Sequence, residues 1–85
     1  MSYTVIGVER VSFTPAGAVD NITGVAMYLA RDITAEKGTG TRVERHFFST
    51  AKLVRLGLDP DTLIGQTVQP YYNRFGKIEQ LEVVD

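Results

Sequence analysis

The sequence predicts a mainly β protein, a small five-stranded OB-like (Greek-key) barrel with a short helix between strands 3 and 4. Three observations support this prediction. The 85 residues are enough for one hydrophobic core, so residues 1–85 are expected to form a single OB-like domain. Five stretches have the composition of β-strands, and one stretch after the third has helical spacing. Partly open barrels of this class have that order of elements, and a mixed sheet of strands and helices is the alternative.

The first predicted strand, residues 3–13, is expected to bend. Its apolar side chains follow one parity at Val5 and the other at Val8, and Gly7 lies where the pattern changes. An interior glycine in such a run often marks a β-bulge or a sharp bend. Small barrels need strands that bend in this way, so we expect a bulge in the segment from Gly7 to Arg10.

The second and third predicted strands alternate between two faces. In the second strand, residues 24–31, the side chains expected in the core are Val25, Met27 and Leu29, and those expected outside are Ala26, Tyr28 and Ala30. In the third strand, residues 41–48, one face carries Val43, Arg45 and Phe47, and the other carries Arg42, Glu44, His46 and Phe48.

The segment after the third strand has helix signals at both ends. Ser49 or Thr50 is a favourable N-cap, and Gly57 lies where a left-handed C-terminal residue is expected. Asp59 followed by Pro60 is a second cap signal, because proline is well placed at a first helical position. We therefore predict a helix of about two turns and then a single turn.

Residues 65–84 read as the last two strands, joined by a decorated loop. Asn73 and Gly76 tolerate the positive φ that tight loops require. Between them lie Arg74 and Phe75, a cation and an aromatic ring that a plain hairpin does not need. This loop is therefore the strongest functional indication in the chain.

Composition excludes several classes of site. The chain has no cysteine, so it has no disulfide, thiolate metal site or cysteine nucleophile, and it has one histidine, His46. Asp59 and Asp61 are better explained as helix caps than as a catalytic pair. We therefore expect no enzyme activity, no cofactor, no metal and no small-molecule substrate. The first ten residues lack a basic start and no long apolar run follows, so we expect a cytoplasmic protein without a membrane segment.

A single-stranded nucleic acid is the expected partner. Barrels of this class bind single strands on the face of strands 2 and 3, helped by the loops between strands 1 and 2 and between strands 4 and 5. Aromatic rings stack on bases and neighbouring cations bind phosphates. The residues predicted to do so are Tyr28, Arg42, His46, Tyr72, Arg74, Phe75 and Lys77. The alternative is structural, with the rings in the core and the cations keeping a hairpin soluble.

The segment from Tyr71 to Ile78, with Leu81 and Val83 after it, resembles the ending of short uncharacterised proteins from phages, plasmids and integrative elements of Gram-positive bacteria. The layout is also similar to that of the small dimeric single-strand DNA-binding proteins of filamentous phages. This resemblance implies a mobile-element setting and a single-stranded DNA partner. The net charge of −1 departs from that of strong DNA binders.

The leading hypothesis is thus a non-enzymatic, homodimeric module that binds single-stranded DNA. The alternative is a protein-interaction or assembly subunit that uses an exposed β edge with Tyr and Phe anchors. An enzyme is the third hypothesis, and the sequence lacks the nucleophile and acid–base partners that it needs.

Overall fold

One antiparallel sheet of five strands, in the spatial order β3-β2-β1-β4-β5, organises the computed structural model, which describes residues 2–84. The helical segment lies between β3 and β4, as the sequence predicts. The elements are β1 (Tyr3–Phe13), β2 (Ile22–Asp32), β3 (Thr41–Ser49), α1 (Thr50–Leu56), α2 (Pro60–Leu63), β4 (Thr67–Tyr72) and β5 (Ile78–Val84).

The sheet is not closed into a barrel by backbone pairing. In the described part of the chain β3 and β5 are its two edges, and no ladder joins them. The ladder between β1 and β4 is also short, with the pairs Tyr3–Val68 and Thr4–Thr67. Next to this ladder, Val5 N donates to Gln66 O at 3.0 Å, and Val5 O accepts from Gly65 N at 2.8 Å. Where β3 comes near β4, side chains make the connection instead of a ladder.

The prediction of a bulge in β1 is confirmed, but the bulge lies just before the predicted segment from Gly7 to Arg10. It explains the change of parity. Val5 pairs with Leu29 and Gly7 with Tyr28, so Ile6 is the extra residue, and it is exposed. Inserting one residue turns the following side chains to the other face. Val5 is therefore fully buried, and Val8 packs against the same core although the two residues have opposite parity.

Both helical segments begin at predicted caps, and α1 also ends at the predicted Gly57. Ser49 Oγ accepts from Lys52 N at 3.2 Å, and Gly57 ends α1 with a φ of 68°. At α2, Asp59 caps the turn and Pro60 occupies its first position. Each segment contributes one buried leucine to the core, Leu53 from α1 and Leu63 from α2.

The core side of β2 is as predicted, but its opposite side is more buried than expected. Ala26 and Ala30 are buried, so the expectation that both are exposed is wrong. Ala26 lies between Glu9 and Phe47 on the neighbouring strands, and longer side chains on both sides cover a short one. The fully buried side chains at the centre of the core are Val5, Met27, Leu29, Phe48 and Val68.

Candidate nucleic-acid interface

An open cleft of about 380 Å³ lies between β3, the start of α1 and the loop that joins β4 to β5. Among residues 2–84 no acidic side chain lines it, whereas four basic ones and two aromatic rings do. The lining residues are Arg45, His46, Phe47, Lys52, Phe75, Gly76, Lys77 and Ile78.

Three of the four basic side chains of the cleft have no carboxylate partner among residues 2–84, and the fourth, His46, contacts Glu44. Within residues 2–84, no carboxylate is ion-paired with Arg45, Lys52 or Lys77. Burial lowers the pKa of the Lys52 ammonium, and the like charges of Arg55 and Lys77 lower it further. The Lys52 ammonium also lies 5.3 Å from the centre of the Phe48 ring, a cation–π contact that satisfies it only in part. The cleft therefore favours an anion.

The loop between β4 and β5 is held by its first residue. Asn73 Oδ1 accepts from the backbone N–H of Phe75 at 2.9 Å and of Lys77 at 3.1 Å. Gly76 takes the predicted positive φ of 77°, whereas Asn73 does not and acts through its side chain instead. Because the turn is fixed at both ends, Phe75 is presented to solvent at 73% exposure, and the Arg74 guanidinium lies 5.0 Å from its ring centre.

The face of β2 and β3 that is opposite Met27, Leu29 and Phe48 is called the outer face here, and the core-facing side the inner face. The outer face extends the cleft with more aromatic rings. The Phe47 and Phe13 rings meet edge to face with 5.8 Å between their centres. The Phe47 ring covers Gly24, where a Cβ would lie 2.7 Å from its Cζ atom. Tyr28 lies on the same face, pairs with Arg45 across the strands, and donates to Glu9 at 3.2 Å. A ring-bearing surface with one cation thus adjoins the cleft.

A single carboxylate, Glu44, joins three strands on the inner face. It accepts from His46 Nε2 at 2.9 Å, from the Tyr3 hydroxyl at 3.0 Å and from the Tyr72 hydroxyl at 3.4 Å, and the Arg42 Nε atom is 3.6 Å away. Burial alone would raise the pKa of Glu44, but these donors and charges outweigh it and lower the pKa. Burial also raises the pKa of Tyr72 strongly, together with its contacts to Tyr3 and Glu44. We call these five residues the Glu44 hub.

The structure brings five of the seven predicted site residues together. His46, Phe75 and Lys77 line the cleft. Arg74 stacks on Phe75, and the Tyr72 ring centre is 5.9 Å from that of His46.

The other two predicted residues do not line the cleft, although Arg42 is connected to His46 and Tyr72 through Glu44. The expectation that Tyr28 shares a face with Arg42 and His46 is wrong. Tyr28 pairs with Arg45 on the outer face, whereas Arg42 pairs with Arg31 on the inner face and lies near the start of β3. Phe48, on the same face of β3 as Arg42 and His46, is fully buried. The inner face of β3 can be polar because its polar side chains are hydrogen-bonded within the Glu44 hub. Counting apolar residues therefore predicts the wrong face of β3 as the buried one.

Sequence reasoning missed three residues of the interface: Arg45, Phe47 and Lys52. Arg45 and Phe47 alternate with Phe48 along β3, so they lie on the opposite face from it. An assignment of Phe48 to the core would therefore have placed both of them on the outer face. Lys52 could have been found from its cap, since Ser49 fixes the first turn of α1 directly after β3.

Other kinds of site find no support in residues 2–84. No group of three or more His, Asp or Glu side chains there could hold a metal ion. In the same range, no helix has the length and apolar character needed to cross a membrane. No protein-family model matches the chain, and no curated protein or solved structure matches it either. The interpretation of the cleft therefore depends on its own chemistry.

Proposed function

We propose that this chain is a non-enzymatic, OB-like module that binds single-stranded DNA in the cleft and along the outer face of β2 and β3. The observation that carries this proposal is a cleft that contains Arg45, Lys52, Lys77 and the exposed Phe75 ring and that no acidic side chain of the described residues lines. Cations without carboxylate partners suit phosphates, and exposed rings suit bases.

The rings favour a single strand over a duplex. In a duplex the bases are stacked on one another, whereas a single strand can place its bases on protein rings. Stacking contributes about 1–3 kcal/mol per base and tolerates any base. Phe75 on the loop and Phe47 at the border of the cleft are the two rings beside unpaired cations. Binding with little sequence preference follows from this arrangement.

The order of the strands also supports the proposal. Three consecutive antiparallel strands, with the fourth returning beside the first, form a Greek key. OB-like barrels have this arrangement and bind their ligands on the face of strands 2 and 3, near the loop between strands 4 and 5. The cleft lies at that loop. In this interpretation the Glu44 hub takes the place of backbone pairing between β3 and the last two strands.

Fluorescence anisotropy with a labelled, mixed-sequence single-stranded oligonucleotide at ~50 mM salt tests the proposal, because phosphate contacts are strongest at low salt. Lys52→Ala and Lys77→Ala are each expected to weaken binding and to reduce the slope of log affinity against log salt by about 0.7. Arg10→Ala is the matched control, since it removes one exposed charge that is paired with Asp61 at 3.6 Å.

Replacing Arg74 and Phe75 together by Ala removes one ring and its stacked cation. From the stacking energy alone, we expect affinity to fall by roughly five- to 150-fold while the circular dichroism spectrum stays unchanged. A wild-type protein without affinity for the oligonucleotide at ~50 mM salt would refute the proposal. Equal affinity for duplex and single strand would refute the role of the rings.

A protein-interaction subunit is the second candidate, and the exposed edges favour it. In the described residues β3 and β5 have no partner on their outer sides, and an added strand could pair there. Phe13 and Val43 on the outer face are exposed at 43% and 50%. In that case binding partners would be proteins, including a second copy of the chain, and oligonucleotide would not compete with them. Light scattering with and without oligonucleotide separates the two candidates.

A further inference from the structure

We propose that Arg31, Lys37 and Arg42 form a second anion site, separate from the cleft, that binds a phosphate monoester group. These side chains line a pocket of about 190 Å³ at the end of β2, the start of β3 and the loop between them. Ile33 and Thr34 complete the lining, and no acidic residue in the described part of the chain takes part in it.

Two arginines meet directly across the sheet at this site. Arg31 pairs with Arg42 in the ladder between β2 and β3, so their side chains project from the same face. Like charges directly opposite each other destabilise a sheet. A sheet keeps such a pair at little cost when an anion lies between the two guanidinium groups.

Arg31 also has a donor without an acceptor. Its Nε atom is buried and lacks a hydrogen-bond partner, and its guanidinium lies 5.7 Å from the centre of the Tyr3 ring. The ring orients the guanidinium plane without supplying an acceptor. A buried donor that lacks a partner is costly, and a small movement of the guanidinium toward a phosphate in the pocket would give it an acceptor.

The loop holds Lys37 next to the arginine pair. Thr34 O accepts from the backbone N–H of Lys37 at 2.9 Å and of Gly38 at 3.1 Å, and Ile33 N donates to Gly40 O at 2.8 Å. These bonds form a closed turn that projects from the ends of the two strands. Lys37 is thus the third cation of the site because of backbone geometry.

The charge at the site selects the class of anion. Three cations line the pocket, and one of them is ion-paired, since Glu44 lies 3.6 Å from Arg42 Nε. A pocket lined by several cations suits a phosphate monoester, which carries about −1.5 to −2 at pH 7, better than a singly charged phosphodiester. The pocket is smaller than the ~300 Å³ of typical small-molecule sites, so a single group is bound rather than a whole nucleotide. That group is either free phosphate or the terminal phosphate of a strand.

Isothermal titration with inorganic phosphate tests the site on the whole chain. We expect saturable binding to the wild type, and a loss of roughly ten- to 100-fold in affinity for Arg31→Gln and for Arg42→Gln. Arg55→Gln is the matched control, since Arg55 is exposed on α1 and does not line the pocket. Circular dichroism of each variant verifies that the sheet is intact.

Oligonucleotides with and without a 5′-phosphate distinguish the two sources of the group. Tighter binding of the phosphorylated strand, lost in Arg42→Gln, identifies a strand end as the ligand. Equal binding of both strands, with inorganic phosphate still bound, identifies free phosphate. Phosphate binding that is absent, or unchanged in both arginine variants, overturns the proposal. Lys77 lines the cleft but not this pocket, so Lys77→Ala should weaken DNA binding and leave phosphate binding unchanged. Failure of the proposed DNA binding and failure of the phosphate site are therefore separate results.

Discussion

Replacing Glu44 by Ala is expected to destabilise the protein by about 2 kcal/mol. The substitution removes two well-formed hydrogen bonds to a charged acceptor, from His46 at 2.9 Å and from Tyr3 at 3.0 Å. Each is taken to contribute about 1 kcal/mol net, below the ~1.5–3 kcal/mol usual for charged groups, because the Glu44 side chain is still 20% exposed. For a domain of this size, ~2 kcal/mol lowers the melting temperature by roughly 8–16 °C.

Thermal unfolding followed by circular dichroism measures this effect. Glu82→Ala is the matched control, because Glu82 also accepts from a tyrosine hydroxyl, that of Tyr71 at 3.1 Å, but on an exposed surface. Exposed pairs of this kind contribute little. If Glu44→Ala lowers the melting temperature no more than Glu82→Ala does, side chains do not hold β3 against β1 and β4, and the reasoning fails.

Two further predictions concern the pH dependence of the Glu44 hub and the close packing at Gly24. The pKa of Glu44 lies below its ordinary value of 4.5, so in acid the unfolded chain binds more protons than the folded chain. The stabilisation by the Glu44 hub is therefore complete above about pH 4.5 and is lost as the pH falls through the lowered pKa. Urea unfolding between pH 6 and pH 3 measures this decline, which should be shallower in Glu44→Gln. Gly24→Ala should destabilise the fold by at least about 1–3 kcal/mol, because its Cβ would collide with the Phe48 carbonyl oxygen. Gly7→Ala, whose Cβ would be 3.4 Å from Tyr28, should cost less in the same unfolding measurement.

Features set by neighbouring residues could be predicted from the sequence. The bulge beside Gly7, the cap at Ser49 and the left-handed Gly57 each depend on a few adjacent residues whose conformational preferences agree. The order of strands and helices followed from these local signals. The predicted extent of β1, residues 3–13, matches the structure.

Features set by distant residues could not be predicted. The inward direction of His46 depends on Glu44, which in turn depends on Tyr3 and Tyr72, residues far away in the chain. Alternation along β3 gives two faces but does not say which one is buried when both carry polar and aromatic residues. The burial of Ala26 likewise depends on neighbours from two other strands. The loop of the cleft could be predicted because Phe75, Gly76 and Lys77 are adjacent in the sequence. Arg45 could not, because the other cleft residues near it come from distant parts of the chain.

The short ladder between β1 and β4 leaves few polar links between the three-stranded meander (β1 to β3) and the two-stranded hairpin (β4 and β5). In the described residues these links are two ladder pairs, the bonds at Val5 and the Glu44 hub, and one hydrophobic core with side chains from all five strands packs across the same boundary. Arg45 and Lys52 lie on β3 and α1, whereas Lys77 belongs to the hairpin, so any ligand that bridges the cleft adds another polar link between the two parts. Such a ligand stabilises the whole fold as well as occupying a surface, and this stabilisation grows with the logarithm of the ligand concentration divided by its Kd.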